Sequence, residues 1–423
     1  MPNAACAEAQ EPRSPARTLP YDAEIIELRR IGDLPPYAFA EIDRLKLELR
    51  RDGADVVDLG FGNPDIASPN VAVEKLAEAA RKSRNHRYSA TRGIPKLRAA
   101  ICDLYSRRFG VELDPETEAI TTIGAKEGLS HLMWLLVEPG DVALVPAPSY
   151  PIHIFAPVLA GASVSQVAMG PDEDVFANLQ SAYERSNPRP RALIISFPHN
   201  PTTAVVDLEF MQRVVDFARE RQIVVVHDFA YADISFDGYT PPSILQAEGA
   251  REVCVELYTL TKGYSMAGWR VGFLVGNAEI VANLGRLKSY LDYGTFQPIQ
   301  IAATVALQEG DEYPAEVCEA YRRRRDALCD GLGRIGWAVP RPLGTMFVWA
   351  QVPEAYTALG SQQFALKLLR EAKVSVSPGG GFGPGGDGHV RFALVENEHR
   401  IGQAIRGIRA ALPSLADGVP AAG

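Results

Sequence analysis

Lys262 and Arg270 bracket the stretch LTKGYSMAGWR (260–270). The lysine follows an apolar run, VCVELYTL, and the arginine precedes another, VGFLVG, so both stand at the rim of what reads as a buried sheet. A lysine kept from water beside other cations loses part of its preference for charge and can attack an aldehyde to form a Schiff base. An arginine stays charged and can grip a phosphate through two parallel N–H bonds. Thr259, three residues before the lysine, could add a hydroxyl to that phosphate. Singly, a lysine after a strand is more often solvated, and an arginine leading a strand is more often a surface residue.

Other strand ends hold further polar groups. GAKEG (124–128) is a small-residue turn running into a helix, whose free N–H groups and dipole suit an anion. Asp228 closes the apolar strand IVVVHD, where a carboxylate is costly without a cationic partner. A protonated ring nitrogen would be such a partner; a helix N-cap or a structural ion pair is the plainer alternative. Tyr231 could bring a phenol to the same place, and Asn200, in PHNPTT, an amide for a phenolate-like oxygen. Tyr150, in PSYP, offers a flat face for stacking. His227 invites a metal, but no second ligand is spaced for one. Together these residues describe a ligand with a phosphate, an aldehyde, a ring nitrogen and a ring oxygen. Pyridoxal 5′-phosphate (PLP) has all four.

The elements that must position them alternate. Apolar, β-rich runs are found at 119–124, 141–148, 191–197, 222–228, 252–260 and 270–276, with helical runs such as 126–137 and 207–222 between several of them. That pattern predicts an α/β fold with a mostly parallel sheet covered on both faces. In such sheets ligands bind beyond the carboxyl ends of the strands, where the residues above fall. From about residue 300 a second, α+β portion follows: the helix YPAEVCEAYRRRRDALCDGLGRIG, the strand TMFVWAQV, the helix SQQFALKLLREAK and the strands VSVSP and HVRFAL. Residues 24–51 read as helical, interrupted by Pro35 and Pro36. The polar, proline-rich residues 1–20 and the terminal LADGVPAAG read as frayed tails.

Composition excludes several classes. The net charge of -9 argues against a nucleic-acid partner, and no apolar run approaches the ~18 residues a membrane span requires. The five cysteines form no C-x-x-C pair, which fits reduced thiols in a cytoplasm rather than a disulfide framework or a zinc site.

The ordered motifs LGFGNPD (59–65), YSATRGIPKLRAAI (88–101), IGAKEG, PSYP, FPHNPT, HDFAYAD, TLTKGYSMAGWRVGF and HVRFALVEN (389–397) resemble those of the class I/II, fold-type I aminotransferases over roughly residues 25–410. Within that family the chain is similar to bacterial alanine (glutamate–pyruvate) aminotransferases, relatives of the LL-diaminopimelate aminotransferases. The resemblance implies a large PLP-binding domain with a seven-stranded-type sheet at 55–300 and a small domain from 21–54 and 301–415. It implies roles as well. Lys262 is the Schiff-base lysine and the base that moves the α-proton, Asp228 the partner of the pyridine nitrogen, and Asn200 and Tyr231 the contacts of the ring oxygen. The backbone at Ala125 and Lys126, with Thr259 and Arg270, is the phosphate cup, and Tyr150 the stacking aromatic. Arg391 is the clamp on the substrate α-carboxylate, and Gly62 the close backbone approach to the substrate. Tyr88 reaches a neighbouring subunit's phosphate, which implies a homodimer. The expected reaction is ping-pong transfer of an amino group between alanine or glutamate and a 2-oxo acid.

Thr203 stands where the wider family usually has glycine, and His199 where the nearest subgroup usually has a small residue. Both flank Asn200 and are expected close to the reacting side of the cofactor. They keep open a PLP enzyme diverted to elimination, substitution, carbon–carbon bond formation or oxidation. No second arginine for a distal carboxylate is identifiable. GFGPGG (381–386) matches a dinucleotide-binding pattern formally, but a strand-like run follows it instead of a helix, so it reads as a mobile loop over the site. A Thr–Lys hydrolase built on TLTK would leave Asp228, Asn200 and Arg391 unexplained.

Overall fold

In the computed structural model the described residues are 34–35, 37–169 and 173–415. The expected tail at 1–20, residues 24–33 of the first helical reading and residues 416–423 lie outside them. A short strand β1 (Val57–Asp58) precedes the main series: β2 (Ala119–Thr122), β3 (Val142–Ala147), β4 (Ser163–Ala168), β5 (Ala192–Ile195), β6 (Val224–Asp228), β7 (Cys254–Thr259) and β8 (Gly272–Gly276). These seven form one sheet in the order β2-β8-β7-β6-β5-β3-β4. Its pairs are parallel except those of β8, which runs antiparallel to both β7 and β2.

The sheet is buried on both faces, so its strands are nearly continuous apolar runs whose side chains sort by parity. Leu193, Ile195, Val225 and Tyr258 join one apolar cluster, with the helices Pro95–Phe109 and Leu208–Arg221. Ala192, Ile194, Val226, Val255 and Leu257 join another, with Ala125–Leu136 and Ala278–Leu291. β4 was not picked out from the sequence: its SVSQVA lies at the sheet edge with most positions exposed or half-exposed, so it carries little apolar signal.

The reversal of β8 decides where the chemistry sits. Thr259 at the end of β7 pairs with Gly272 at the start of β8. Lys262, just after β7, and Arg270, just before β8, therefore share one sheet edge. The same edge carries the ends of β2, β3, β5 and β6, and so the turns holding Ala125, Tyr150, Asn200 and Asp228.

A second sheet of β9 (Phe347–Gln351), β11 (Ser377–Pro378) and β12 (His389–Ala393) is antiparallel, in the order β11-β12-β9. β10 (Val374–Ser375) pairs with β1 in parallel. Around them Ile42 and Leu45 of the helix Ala40–Arg51 pack in one apolar cluster with Val317, Leu328, Ile401 and Ala404. The described residues from 37 to 415 fall in a single compact unit.

Helix Ala125–Leu136 rests directly on the sheet at Gly128, where a Cβ would lie 2.8 Å from Leu257 Cδ2 and 2.9 Å from Thr122 Cγ2. Both neighbours are buried. Gly128→Ala should therefore cost about 1–3 kcal/mol, as overpacked cores do. Denaturant unfolding measures it, and unchanged stability would show that the helix has room to move.

Candidate active site

At that edge lies a cavity of about 400 Å³. Of the sequence candidates, Gly62, Ala125, Lys126, Tyr150, Asn200, Asp228, Tyr231, Thr259, Lys262, Arg270 and Arg391 all line it. Tyr88 does not. It stacks on Tyr293 with ring centroids 4.6 Å apart and is 84% exposed, away from its own chain's cavity.

Asp228 is buried. Its Oδ2 lies 2.8 Å from His153 Nε2, and His153 Nδ1 lies 2.7 Å from Ser149 Oγ. Its other oxygen, Oδ1, is buried with no hydrogen-bond partner among the described residues. A half-satisfied buried carboxylate oxygen on a cavity wall is a place for a ligand's donor. The sequence reading missed His153: 75 residues separate it from Asp228, and only β3 and β6, folded into one sheet, bring the two together.

Lys262 Nζ donates to the carbonyl of Gly62 at 2.8 Å. Burial, then the charges of Arg391 and Arg270, lower its pKa to about 7, against the opposing pull of Asp228. A large fraction of this amine is thus neutral near neutral pH. Gly62 is small for a visible reason: a Cβ there would lie 2.7 Å from the Phe347 ring.

Arg391 is buried, with its guanidinium carbon 3.9 Å from the Phe347 ring centroid and 4.6 Å from that of Phe382. It donates to Asn200 Oδ1 at 2.7 Å and to the Gly60 carbonyl at 3.2 Å, while its Nε has no partner. Burial lowers its pKa to about 10, so it stays a cation. The sequence placed Arg391 at the site but missed the two phenylalanines that sandwich it. Phe382 comes from the glycine-rich segment expected to be a mobile loop; Gly379–Phe382 is a helical turn and Phe382 is buried.

The turn at 123–125 is shaped around Arg270. Gly124 has φ +79°, and a Cβ on it would lie 2.2 Å from Arg270 Nη2. A Cβ on Gly272 would lie 2.8 Å from Ala125 N. The hydroxyl of Thr259 donates to the Val271 carbonyl at 2.9 Å and lies 2.8 Å from Thr261 Oγ1. Thr261, which the sequence reading did not single out, lines the cavity too.

His199 and Thr203 correct the expectation placed on them. Neither lines the cavity. His199 is buried, with Nδ1 2.7 Å from Thr202 Oγ1, and burial followed by nearby His153 pushes its pKa down to about 3. It is therefore a neutral core histidine. Thr203 occupies the left-handed region at φ 63°, a conformation that glycine adopts most readily. The basis for a diverted reaction is lost with them.

The chain belongs to the aminotransferase class I and II family, whose model matches residues 54–408. It is an aminotransferase of fold-type I and uses PLP. It is 54% identical to the glutamate-pyruvate aminotransferase AlaC of Escherichia coli over 90% of this chain and 92% of that one. It is 43% identical to the LL-diaminopimelate aminotransferase of Desulforudis audaxviator over 92% and 98% of the two chains. Among solved structures, substrate-bound BacF of Bacillus subtilis superposes with a TM-score of 0.84 at 33% identity, covering 91% and 97% of the two chains. The residues present fit the cofactor: an unpartnered carboxylate oxygen for a ring N–H, a small-residue turn against an arginine for a phosphate, and a partly neutral lysine between them.

Lys262 should titrate near pH 7 in PLP-free enzyme, whereas an ordinary lysine does so at ~10.4. An amine-reactive probe followed against pH reads this, and Arg391→Met should move the midpoint upward by removing the cation that lowers it most. A midpoint near the ordinary value in both proteins would refute the burial argument.

Proposed function

We propose that the enzyme moves the amino group between alanine or glutamate and pyruvate or 2-oxoglutarate by a ping-pong mechanism. When bound, PLP supplies an aldehyde that takes up the amino group and an electron-withdrawing ring that stabilises negative charge at the α-carbon. Asp228, whose Oδ1 is left without a partner, would hold the protonated ring nitrogen, and His153 on Oδ2 keeps the carboxylate in place. Asn200, its oxygen already taken by Arg391, has its NH₂ group to offer the ring oxygen, with Tyr231 beside it. Tyr150 covers a ring face. The N–H groups at Ala125 and Lys126, with Thr259 and Arg270, bind the phosphate. Arg391 orients the substrate by its α-carboxylate. Lys262 Nζ, partly neutral near pH 7, then takes the proton from the α-carbon.

The observation that carries the substrate choice is the cavity wall. Phe347 and Phe382 give it apolar surface suited to a methyl group, and Lys126 gives it an exposed ammonium with no ion pair among the described residues. With no second arginine identifiable, the exposed Lys126 on the wall is the cation we assign to a distal carboxylate. Lys46, the remaining lysine on the wall besides Lys262, is already matched by Asp43 and Asp58, each at 2.9 Å. The 54% identity to a glutamate-pyruvate aminotransferase supports the same substrates. LL-diaminopimelate is the second reading, favoured by the Asp43–Lys46 pair, which could meet a distal amino-carboxylate group.

We also propose a cytoplasmic homodimer in which Tyr88 reaches the neighbouring site. In support, Tyr88, Tyr290, Tyr293 and Phe296 are exposed, the four described cysteines are free, and no described helix is long and apolar enough to cross a membrane. A large lobe at 55–300 and a smaller one from both chain ends is supported by the separate apolar cluster around β9, β11 and β12.

Holoenzyme given L-alanine alone should release pyruvate once per site and stop, and 2-oxoglutarate should then yield glutamate. Turnover of LL-diaminopimelate without any alanine half-reaction would transfer the assignment to the second reading. Lys126→Met should raise KM for glutamate and 2-oxoglutarate about tenfold or more, the worth of a lost charge-assisted contact, and leave alanine and pyruvate nearly unchanged. Equal effects on all four would remove Lys126 from that role. Lys262→Ala should lower kcat by ~10²–10⁴ through loss of base catalysis alone.

A further inference from the structure

Lys288, on the helix Ala278–Leu291, is fully buried. Its ammonium donates to Glu127 Oε1 at 2.6 Å and to Asp292 Oδ2 at 2.9 Å. His131 Nδ1 lies 2.6 Å from the same Glu127 oxygen. Glu127, His131 and Asp292 stand at metal-ligand spacing, but the ammonium lies among them and is itself the cation.

Both carboxylates hold backbone as well. Glu127 is the third residue of its helix and reaches back, accepting the N–H of Ile123 at 2.8 Å. It thereby pins the turn Ile123–Ala125, the turn that lies against Arg270 and supplies N–H groups to the phosphate. Asp292 Oδ1 accepts the N–H of Gly294 at 2.6 Å, fixing the loop that carries Tyr293 against Tyr88. Without Lys288, two carboxylates would be left partly buried with no ammonium between them. Glu127 would then turn toward water and release Ile123.

We propose that Lys288 is a positioning residue for the cofactor's phosphate, acting through Glu127 on the turn at 123–125. The inference rests on the reading of that turn and Arg270 as the phosphate cup. It predicts a defect specific to the phosphate, whereas a merely structural ion cluster would disturb stability and affect any ligand of the cavity alike.

The test compares the affinities of PLP-free full-length enzyme for PLP and for pyridoxal, which lacks the phosphate. Lys288→Met and Glu127→Ala should each weaken PLP binding about tenfold or more, equivalent to about 1.4 kcal/mol, and change pyridoxal binding by less than about twofold. Lys288→Arg should recover part of the loss. Arg270→Lys is the reference. If it too weakens both ligands equally, the cup reading itself fails. If Arg270→Lys is selective for PLP while Lys288→Met and Glu127→Ala are not, this proposal alone is overturned. Should Lys288→Met not fold, Glu127→Ala carries the test, since it leaves the Lys288–Asp292 pair intact.

Discussion

A carboxylate at the end of a strand buried on both faces constrains everything around it. Asp228 cannot turn to bulk water, so its oxygens must find donors where they stand. His153 meets one, and no group among the described residues meets the other. That oxygen faces the cavity, where a ligand's donor can reach it. Lys262 and Arg391 crowd the same space as cations, and the single carboxylate opposes the pull of burial and of both cations on the lysine. Moving Asp228 would remove the one charge that favours the lysine's protonated form.

Arg391 shows how such charges are kept in place without a matching carboxylate. Two aromatic faces, one amide oxygen and one backbone carbonyl surround it. Phe347 serves twice, stacking on the arginine and standing where a side chain at position 62 would have to go. The carbonyl of Gly62 then receives the lysine. One ring in β9 therefore sets the placement of Arg391 and, through Gly62, of Lys262, although it belongs to a different sheet from the one that holds Asp228 and leads into Lys262.

Most of the site was legible because its residues follow strands. Asp228, Asn200, Tyr150, Lys262 and the 124–126 turn each trail an apolar run, and the rule that ligands bind beyond strand ends gathers them without knowledge of strand order. Residues that do not trail a strand, or whose partner is remote in the chain, escaped. His153 lies on a helix, Phe347 and Phe382 look like ordinary core, and Lys288 is one lysine in an unremarked helix. The error ran the other way at His199 and Thr203. Adjacency in sequence to Asn200 suggested adjacency to the cofactor, yet a buried hydrogen bond and a left-handed turn take both away from the cavity.

By itself the sequence determined the class of fold, the cofactor and most of the polar groups that line the cavity, because strand-forming runs, helix starts and residue chemistry are local properties. Tertiary structure decided which groups are paired and which are left over. The free oxygen of Asp228, the unpaired ammonium of Lys126 and the matched one of Lys46 all depend on neighbours far along the chain. So does the reversal of β8, which puts Arg270 on the same edge as Lys262 rather than at the opposite end of the sheet. Charge pairing and strand direction are fixed by packing across the molecule, and no stretch of residues carries them alone.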